Sequence, residues 1–487
     1  MKMFFSPRSS YPILTASAAL GAGATSCTGA TFASLTLPNI HILAVDTVVA
    51  HTEVDQLTNR FAFTKNASTE VCQVTVQYSH AGWNDTINTW IWLPMQSWNG
   101  RFVGMGGGGW VTGMQSNLGQ PVTEGYSAAS TDGGHAESAS TASWALTGEG
   151  NLNWPLLHDF SAVSLDEATS LGKLATRLFY GSLPKYSYWN GCSTGGRQGH
   201  QMAQRFPNQY DGILAGSPAI NWDKFIPTQY WPQQVMRDLD LYPSACELNA
   251  ITDFAISACD ELDGVKDGII SLPGLCDFDP FSVVGKRVQC SAPDGTKKIS
   301  RKGAQFVATV WAGSSDSKGS ALWYGLTHEA PLTGLGGTNC TSLHHCEPTP
   351  FFISSDWMTT ILSRNESLDL STISLEEYSR LFRASVSEFQ SRVLELDPLV
   401  HDYYRFFPAP GVQHCQGGPG WYPGDSFQAL VDWVEQGIAP DTLFALATPT
   451  ATGDASLPTR TAYLCPYPEV MTYVGGDPDK ASSFACK

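Results

Sequence analysis

Gly191-Cys192-Ser193-Thr194-Gly195 matches the spacing G-x-S-x-G, in which a serine rides on a tight turn between a strand and a helix. A serine hydroxyl is a poor nucleophile until a base takes its proton. In chains built this way the base is a histidine that follows the serine. Of the eleven histidines, His414 is best placed by order. Cys192 precedes Ser193 and Cys415 follows His414. A disulfide between them would set two Cα atoms roughly 5–6 Å apart and hold hydroxyl and imidazole within range. Each cysteine could also pair elsewhere. Acyl transfer further needs donors for an oxyanion. The N–H of Thr194 is one, and Gly107 or Gly108, in the run 106–109, suits the second.

These residues need a scaffold. Residues 101–105, 126–131, 186–190 and 212–215 each read as a strand, with helical patterns over 161–180 and 197–206. Strands alternating with helices predict an α/β fold with a mostly parallel sheet covered on both faces. The strand at 186–190, the serine turn and the helix at 197–206 form the strand–turn–helix that an elbow requires. Residues 401–407 read as a further strand leading to His414. Residues 426–435 form an amphipathic helix, with Gly437 just beyond its end. From about 225 to 370 the chain is rich in Cys, Gly, Pro and Asp and loses this periodicity, as an insertion would. The division that follows is a leader over 1–24, a core over 25–225 and 381–487, and an inserted lid over 226–380.

The chain has 487 residues, long enough for two or three domains or for one core with a large insertion. Net charge is −17, from 28 basic against 45 acidic residues, a surface that repels nucleic acid and anionic membranes. No run is long and apolar enough to span a bilayer. Twelve cysteines without zinc-type C-x-x-C pairs suit disulfides in an oxidising compartment. Lys2 and Arg8 precede a weakly apolar stretch and the small residues Ala22, Gly23 and Ala24, the pattern of a secretory leader. N-x-[ST] sequons at Asn66, Asn84, Asn339 and Asn365 agree with a secreted, glycosylated chain.

Three stretches, residues 99–109, 191–199 and 402–415, together resemble the tannase and feruloyl esterase family of secreted α/β-hydrolase serine esterases. The resemblance extends from about Cys27 to Cys486. It implies that Cys192 and Cys415 are bridged, that Ser193 and His414 hydrolyse a small-molecule phenolic acid ester, and that the feruloyl type is slightly favoured over the galloyl. Closely spaced aspartates between glycines can wrap a hard cation, and Asp260-Glu261-Leu262-Asp263-Gly264-Val265-Lys266-Asp267-Gly268-Ile269 is such a stretch. It is similar to the family's structural calcium loop. By position the ligands are the side chains of Asp260, Asp263 and Asp267 and the carbonyls of Val265 and Ile269. Cys259 and Cys276 flank this loop as a pair. The remaining pairs expected are Cys27–Cys72, Cys246–Cys290, Cys340–Cys346 and Cys465–Cys486.

One departure stands out. The family's triad acid follows a core strand in a His-Gly-x-x-Asp turn, and no such segment occurs here. The chain passes from Gln390 through Ser391 into Arg392-Val393-Leu394. Asp397 and Asp402 lie nearby, but neither matches that position, and no acid is assigned. The core is therefore expected to lack the acid-bearing strand, with activity lowered about 10⁴-fold, as when a triad acid is disabled. A reading from another class is a catalytically impaired, calcium-stabilised secreted binding protein, supported by the same missing acid.

Overall fold

The computed structural model describes residues 26–54, 67–290, 295–342, 345–388, 404–448 and 459–487. The leader, Asn66, Asp397 and Asp402 lie outside the described residues. A seven-stranded sheet forms the centre. Its strands are β1 (Ile40–Val54), β2 (Ala67–His80), β3 (Ile87–Pro94), β4 (Arg101–Met105), β5 (Ser127–Thr131), β6 (Tyr186–Cys192) and β7 (Gly212–Gly216), in the order β1-β2-β3-β5-β4-β6-β7.

Only half of this sheet is parallel. β1, β2, β3 and β5 pair antiparallel in succession, whereas β5–β4, β4–β6 and β6–β7 are parallel. The expectation of a mostly parallel sheet fails because it overlooked the first three strands. Their signal is simple alternation: in β2, Val74, Val76 and Tyr78 are buried between less buried neighbours. Short links suffice between antiparallel neighbours, whereas each parallel step needs a crossover. The crossovers are supplied by α1 (Trp154–Ser161) and α2 (Val163–Tyr180), which run between β5 and β6, and by α3 (Thr194–Arg205), which joins β6 to β7. The helix expected over 161–180 is α2, and a further helix, α1, precedes it; the two are divided at Ala162, whose φ of −163° is not helical.

Both faces of the sheet are covered. One buries Phe102, Trp189 and Ile213 with Leu171 and Phe179 of α2. The other buries Val103, Tyr188 and Tyr126 beneath α5 (Ser426–Gln436), whose Phe427, Leu430 and Val431 face inward. Gly437 closes α5 in the left-handed conformation expected of it. Arg101 on β4 reaches Glu435 of α5 through Nε and Nη2, at 2.5 and 2.7 Å, and Tyr188 donates to the same carboxylate at 2.8 Å.

Residues 230–382 build a separate apolar cluster around Met236, Leu248, Phe306 and Tyr378. It includes Leu248 and Ile251 of α4 (Ala245–Cys259), a helix capped by Ser244, which accepts from the N–H of Glu247. An aromatic cluster of Trp110, Trp144, Phe160, Trp222 and Trp357 joins this unit to the sheet core. Late in the chain, β8 (Leu443–Ala447) and β9 (Arg460–Leu464) form a two-stranded antiparallel sheet of their own, packed with Trp421.

Of the strand expected over 401–407, residues 401–403 lie outside the described residues and 404–407 are not a strand. Pro408 and Pro410 have no N–H to give a ladder. Instead the segment is held by scattered bonds: Arg405 Nη1 donates to the carbonyl of Pro440 at 2.5 Å, and the carbonyl of Phe406 accepts from Tyr467 at 2.8 Å. A cavity of about 630 Å³ lies between this segment and β7, with Leu214, Ala215, Phe407 and Leu443 among its walls. Six disulfides use all twelve cysteines, in the pairs expected from sequence.

Candidate active site

Ser193 stands between β6 and α3 with φ 60° and ψ −118°, a conformation costly for any residue with a Cβ. Backbone bonds on each side hold it there. Its N–H donates to the carbonyl of Gly216 at 3.1 Å, and its own carbonyl accepts from Arg197 at 3.0 Å and Ala219 at 3.1 Å. Glycine is required beside it: a Cβ on Gly191 would lie 2.6 Å from the carbonyl carbon and oxygen of Gly195. Ser193 is partly buried, and Thr194 opens α3, where backbone N–H groups have no partner within the helix.

The glycine run packs directly against this turn. Gly195 donates its N–H to the carbonyl of Gly107 at 3.0 Å, and the Thr194 hydroxyl donates to the carbonyl of Gly109 at 2.7 Å. A Cβ on Gly106 would fall 2.6 Å from Cα of Gly195, so no larger residue fits. The N–H of Gly107 is already engaged by Gln198 Oε1 at 3.1 Å, while Gln198 Nε2 donates to the carbonyl of Thr112 at 2.9 Å. Gln198 is fully buried and fixes the loop relative to α3. It lies in the stretch 191–199, where the sequence alone gives it no role. Its position five residues after the serine, on the inner side of α3, was the available signal.

Cys192 and Cys415 are bonded, with Cα atoms 5.9 Å apart across a sequence separation of 223. The bridge brings together the segments that carry Ser193 and His414, each adjacent to a half-cystine. Cys415 has φ 68°, and Gln413 donates its N–H to the carbonyl of Gly417 at 3.0 Å, so the chain turns back sharply around the histidine. His414 is an exposed residue, yet the protein around its ring disfavours the cation and lowers its pKa below 6.5. Among the described residues, no hydrogen bond or ion pair joins this ring to a carboxylate.

In the acidic loop, Asp260 Oδ1 accepts from the N–H groups of Asp267 and Gly268, both at 2.9 Å. Asp263 and Asp267 accept from Val265 and Ile269, respectively, at 3.0 Å. The Asp267 carboxyl is pushed up to about 7, first by burial and then by Asp263 and Asp260, against the pull of Arg460. Its Oδ2 is buried without a hydrogen-bond donor, Arg460 Nη1 standing 3.7 Å away. Among the described residues, the three carboxylates do not all come within 4.8 Å of one another. The donor set is all oxygen, and its one unpartnered buried oxygen is the kind a hard cation satisfies. Cys259–Cys276 closes the loop, and Ile269 belongs to the same buried cluster as Trp421, under β8 and β9.

The family model described as tannase and feruloyl esterase matches residues 72–349 and 367–487. A probable feruloyl esterase of Arthroderma benhamiae is 37% identical over 471 residues, covering 86% of each chain. A tannase of Aspergillus oryzae is 26% identical, over 96% of this chain and 95% of its own. Among solved structures, a tannin acyl hydrolase from Aspergillus niger superposes with a TM-score of 0.83 at 25% identity, covering 95% of both chains.

Proposed function

The chain belongs to the tannase and feruloyl esterase family, and from that membership we propose that it hydrolyses phenolic acid esters through Ser193 and His414. The observation that carries this reading is the strained serine joined, through the neighbouring half-cystine, to the segment bearing the histidine. His414 takes the proton of the Ser193 hydroxyl as the oxygen attacks the ester carbonyl. The tetrahedral oxyanion is met by the N–H of Thr194 and by that of Gly108, with Gly107 setting the loop through its bonds to Gln198 and Gly195. His414 then returns the proton to the leaving alcohol, an acyl-serine remains, and water activated by the same imidazole releases the acid.

The feruloyl type is the favoured substrate class. The 37% identical relative carries that name. A Cβ built on Gly109 would lie 3.6 Å from the ring of Phe352, so an exposed aromatic side chain from the insertion overlooks the glycine loop. Such a ring offers a face for a phenolic acyl group to stack on. In this reading the insertion is the lid. Asp260, Asp263 and Asp267 with the carbonyls of Val265 and Ile269 hold a structural calcium, which supplies positive charge to a loop crowded with carboxylates. Six disulfides and exposed Asn84, Asn339 and Asn365 support secretion with glycosylation. The test is release of acid from methyl ferulate and methyl gallate by the purified chain. Ferulate release that disappears in Ser193→Ala, with folding intact, is expected. Equal release by wild type and Ser193→Ala would refute the assignment.

A further inference from the structure

A second cluster of ionisable side chains lies far along the sheet from the serine elbow in topology, at the end of β2. His80 closes that strand, Asp85 lies in the turn before β3, Asp159 is on α1 and Glu167 on α2. The side chains of Asp85 and Asp159 are fully buried, and that of His80 is 7% exposed. One ligand atom from each of these three lies within 4.8 Å of the others. The His80 ring is addressed from both sides: Nδ1 is 2.6 Å from Asp85 Oδ2 and 4.0 Å from Asp159 Oδ1, while Nε2 is 2.7 Å from Glu167 Oε1. Glu167 is fixed in turn by the Tyr78 hydroxyl, which donates to Oε2 at 2.9 Å. The backbone N–H of His80 donates to Asp85 Oδ1 at 2.8 Å.

The unbalanced member is Asp159. Both of its carboxylate oxygens are buried and neither has a hydrogen-bond partner. A buried carboxylate without a donor is costly, and only a cation or a proton relieves it. An imidazolium brings one positive charge to three carboxylates, and its Nδ1–H is already aimed at Asp85. With Nε2–H donated to Glu167, loss of the Nδ1 proton would free that nitrogen to share a metal ion with Asp85 and Asp159. That is the arrangement in which an outer carboxylate orients a histidine for a metal ion.

We propose that His80 Nδ1, Asp85 and Asp159 form a divalent transition-metal site, with Glu167 as the outer carboxylate that orients the imidazole. One nitrogen and two carboxylates suit zinc, whereas calcium takes oxygen ligands. The ion would be structural. It would fasten the β2–β3 turn to α1 and α2, and it is separate from the acidic loop at 260–269.

The experiment uses the full chain, freed of metal and equilibrated with Zn²⁺ in the presence of excess Ca²⁺, with bound zinc counted per chain. One zinc per wild-type chain is expected, with affinity reduced at least a hundred-fold in Asp159→Asn and about 10–100-fold in Glu167→Gln, as for outer partners generally. Asp267→Asn should bind zinc as wild type does. Absence of stoichiometric zinc in wild type, or equal binding by a folded Asp159→Asn, overturns the proposal. Should Asp159→Asn fail to fold, wild type loaded with Co²⁺ decides: one coordinated imidazole among its paramagnetically shifted proton resonances supports the site, and none refutes it.

Discussion

At the residue scale, the proposed chemistry rests on a serine whose backbone is forced into φ 60° and on a histidine whose neighbouring half-cystine is bonded to the half-cystine beside that serine. The serine turn and the bridged cysteines are what the structure shares with the sequence reading, because G-x-S-x-G and the two flanking cysteines are local patterns. The third member of a triad was not found, and among the described residues nothing carboxylate-bearing is bonded to His414. An imidazole without an acid loses its preferred tautomer and the partner for its cation, at a cost of about 10⁴ in rate. Inserting a His-Gly-x-x-Asp segment between Gln390 and Arg392 should therefore raise kcat on a feruloyl ester about 10⁴-fold. Steady-state rates of the two chains check this, and equal rates would mean that another group already does the acid's work. Gln198 shows the opposite limit of sequence reading. Its role depends on contacts with Gly107 and Thr112, more than 80 positions away, which no local pattern encodes.

At the scale of elements, α5 is held to the sheet by Phe427, Leu430 and Val431 and by one partly buried charge pair. Burial disfavours the Glu435 anion, but hydrogen bonds from Arg101 and Tyr188 outweigh it and hold the carboxyl below its ordinary 4.5. Glu435→Gln should cost about 2 kcal/mol at neutral pH, the worth of a hydrogen bond to a charged group. Because the folded pKa is depressed, this contribution is complete above 4.5 and fades as pH falls through the folded value. Denaturant unfolding of both chains at pH 7 and in acid measures the difference, and a gap that widened in acid would contradict the assignment. The elements around the serine were readable because strand, turn and helix follow one another directly. β1, β2 and β3 carry equally clear alternation and were missed, since a search for βα units passes over hairpins. The strand expected at 401–407 is not found over its described part, 404–407, and Pro408 and Pro410 follow it directly.

At the scale of the whole molecule, covalent links and proposed ions bind parts that sequence keeps far apart. All six expected disulfide pairs are present, the Cys192–Cys415 link being the one that the family resemblance implies, although spacing alone leaves the connectivity of twelve cysteines open. The acidic loop touches the late part of the chain through Arg460, which donates to the carbonyl of Asp267 at 3.0 Å, and Ile269 is buried in the cluster that holds Trp421. Calcium bound there would stabilise the β8–β9 unit together with the insertion. Calcium at a hundred times its dissociation constant should add about 2.7 kcal/mol to wild type by mass action. Melting of metal-free protein with and without Ca²⁺ checks this: Tm should rise in wild type and stay unchanged in Asp267→Asn. The same rise in both would place the ion elsewhere.

The account depends most on Ser193 being an activated nucleophile under His414. A fluorophosphonate probe reacts only with such a serine, and mass spectrometry of the digested protein locates the adduct. Attachment to the peptide carrying Ser193, lost in His414→Ala while the Cys192–Cys415 bridge remains, is the expected result. A wild-type chain that takes up no probe, or takes it up at another serine, would contradict the account.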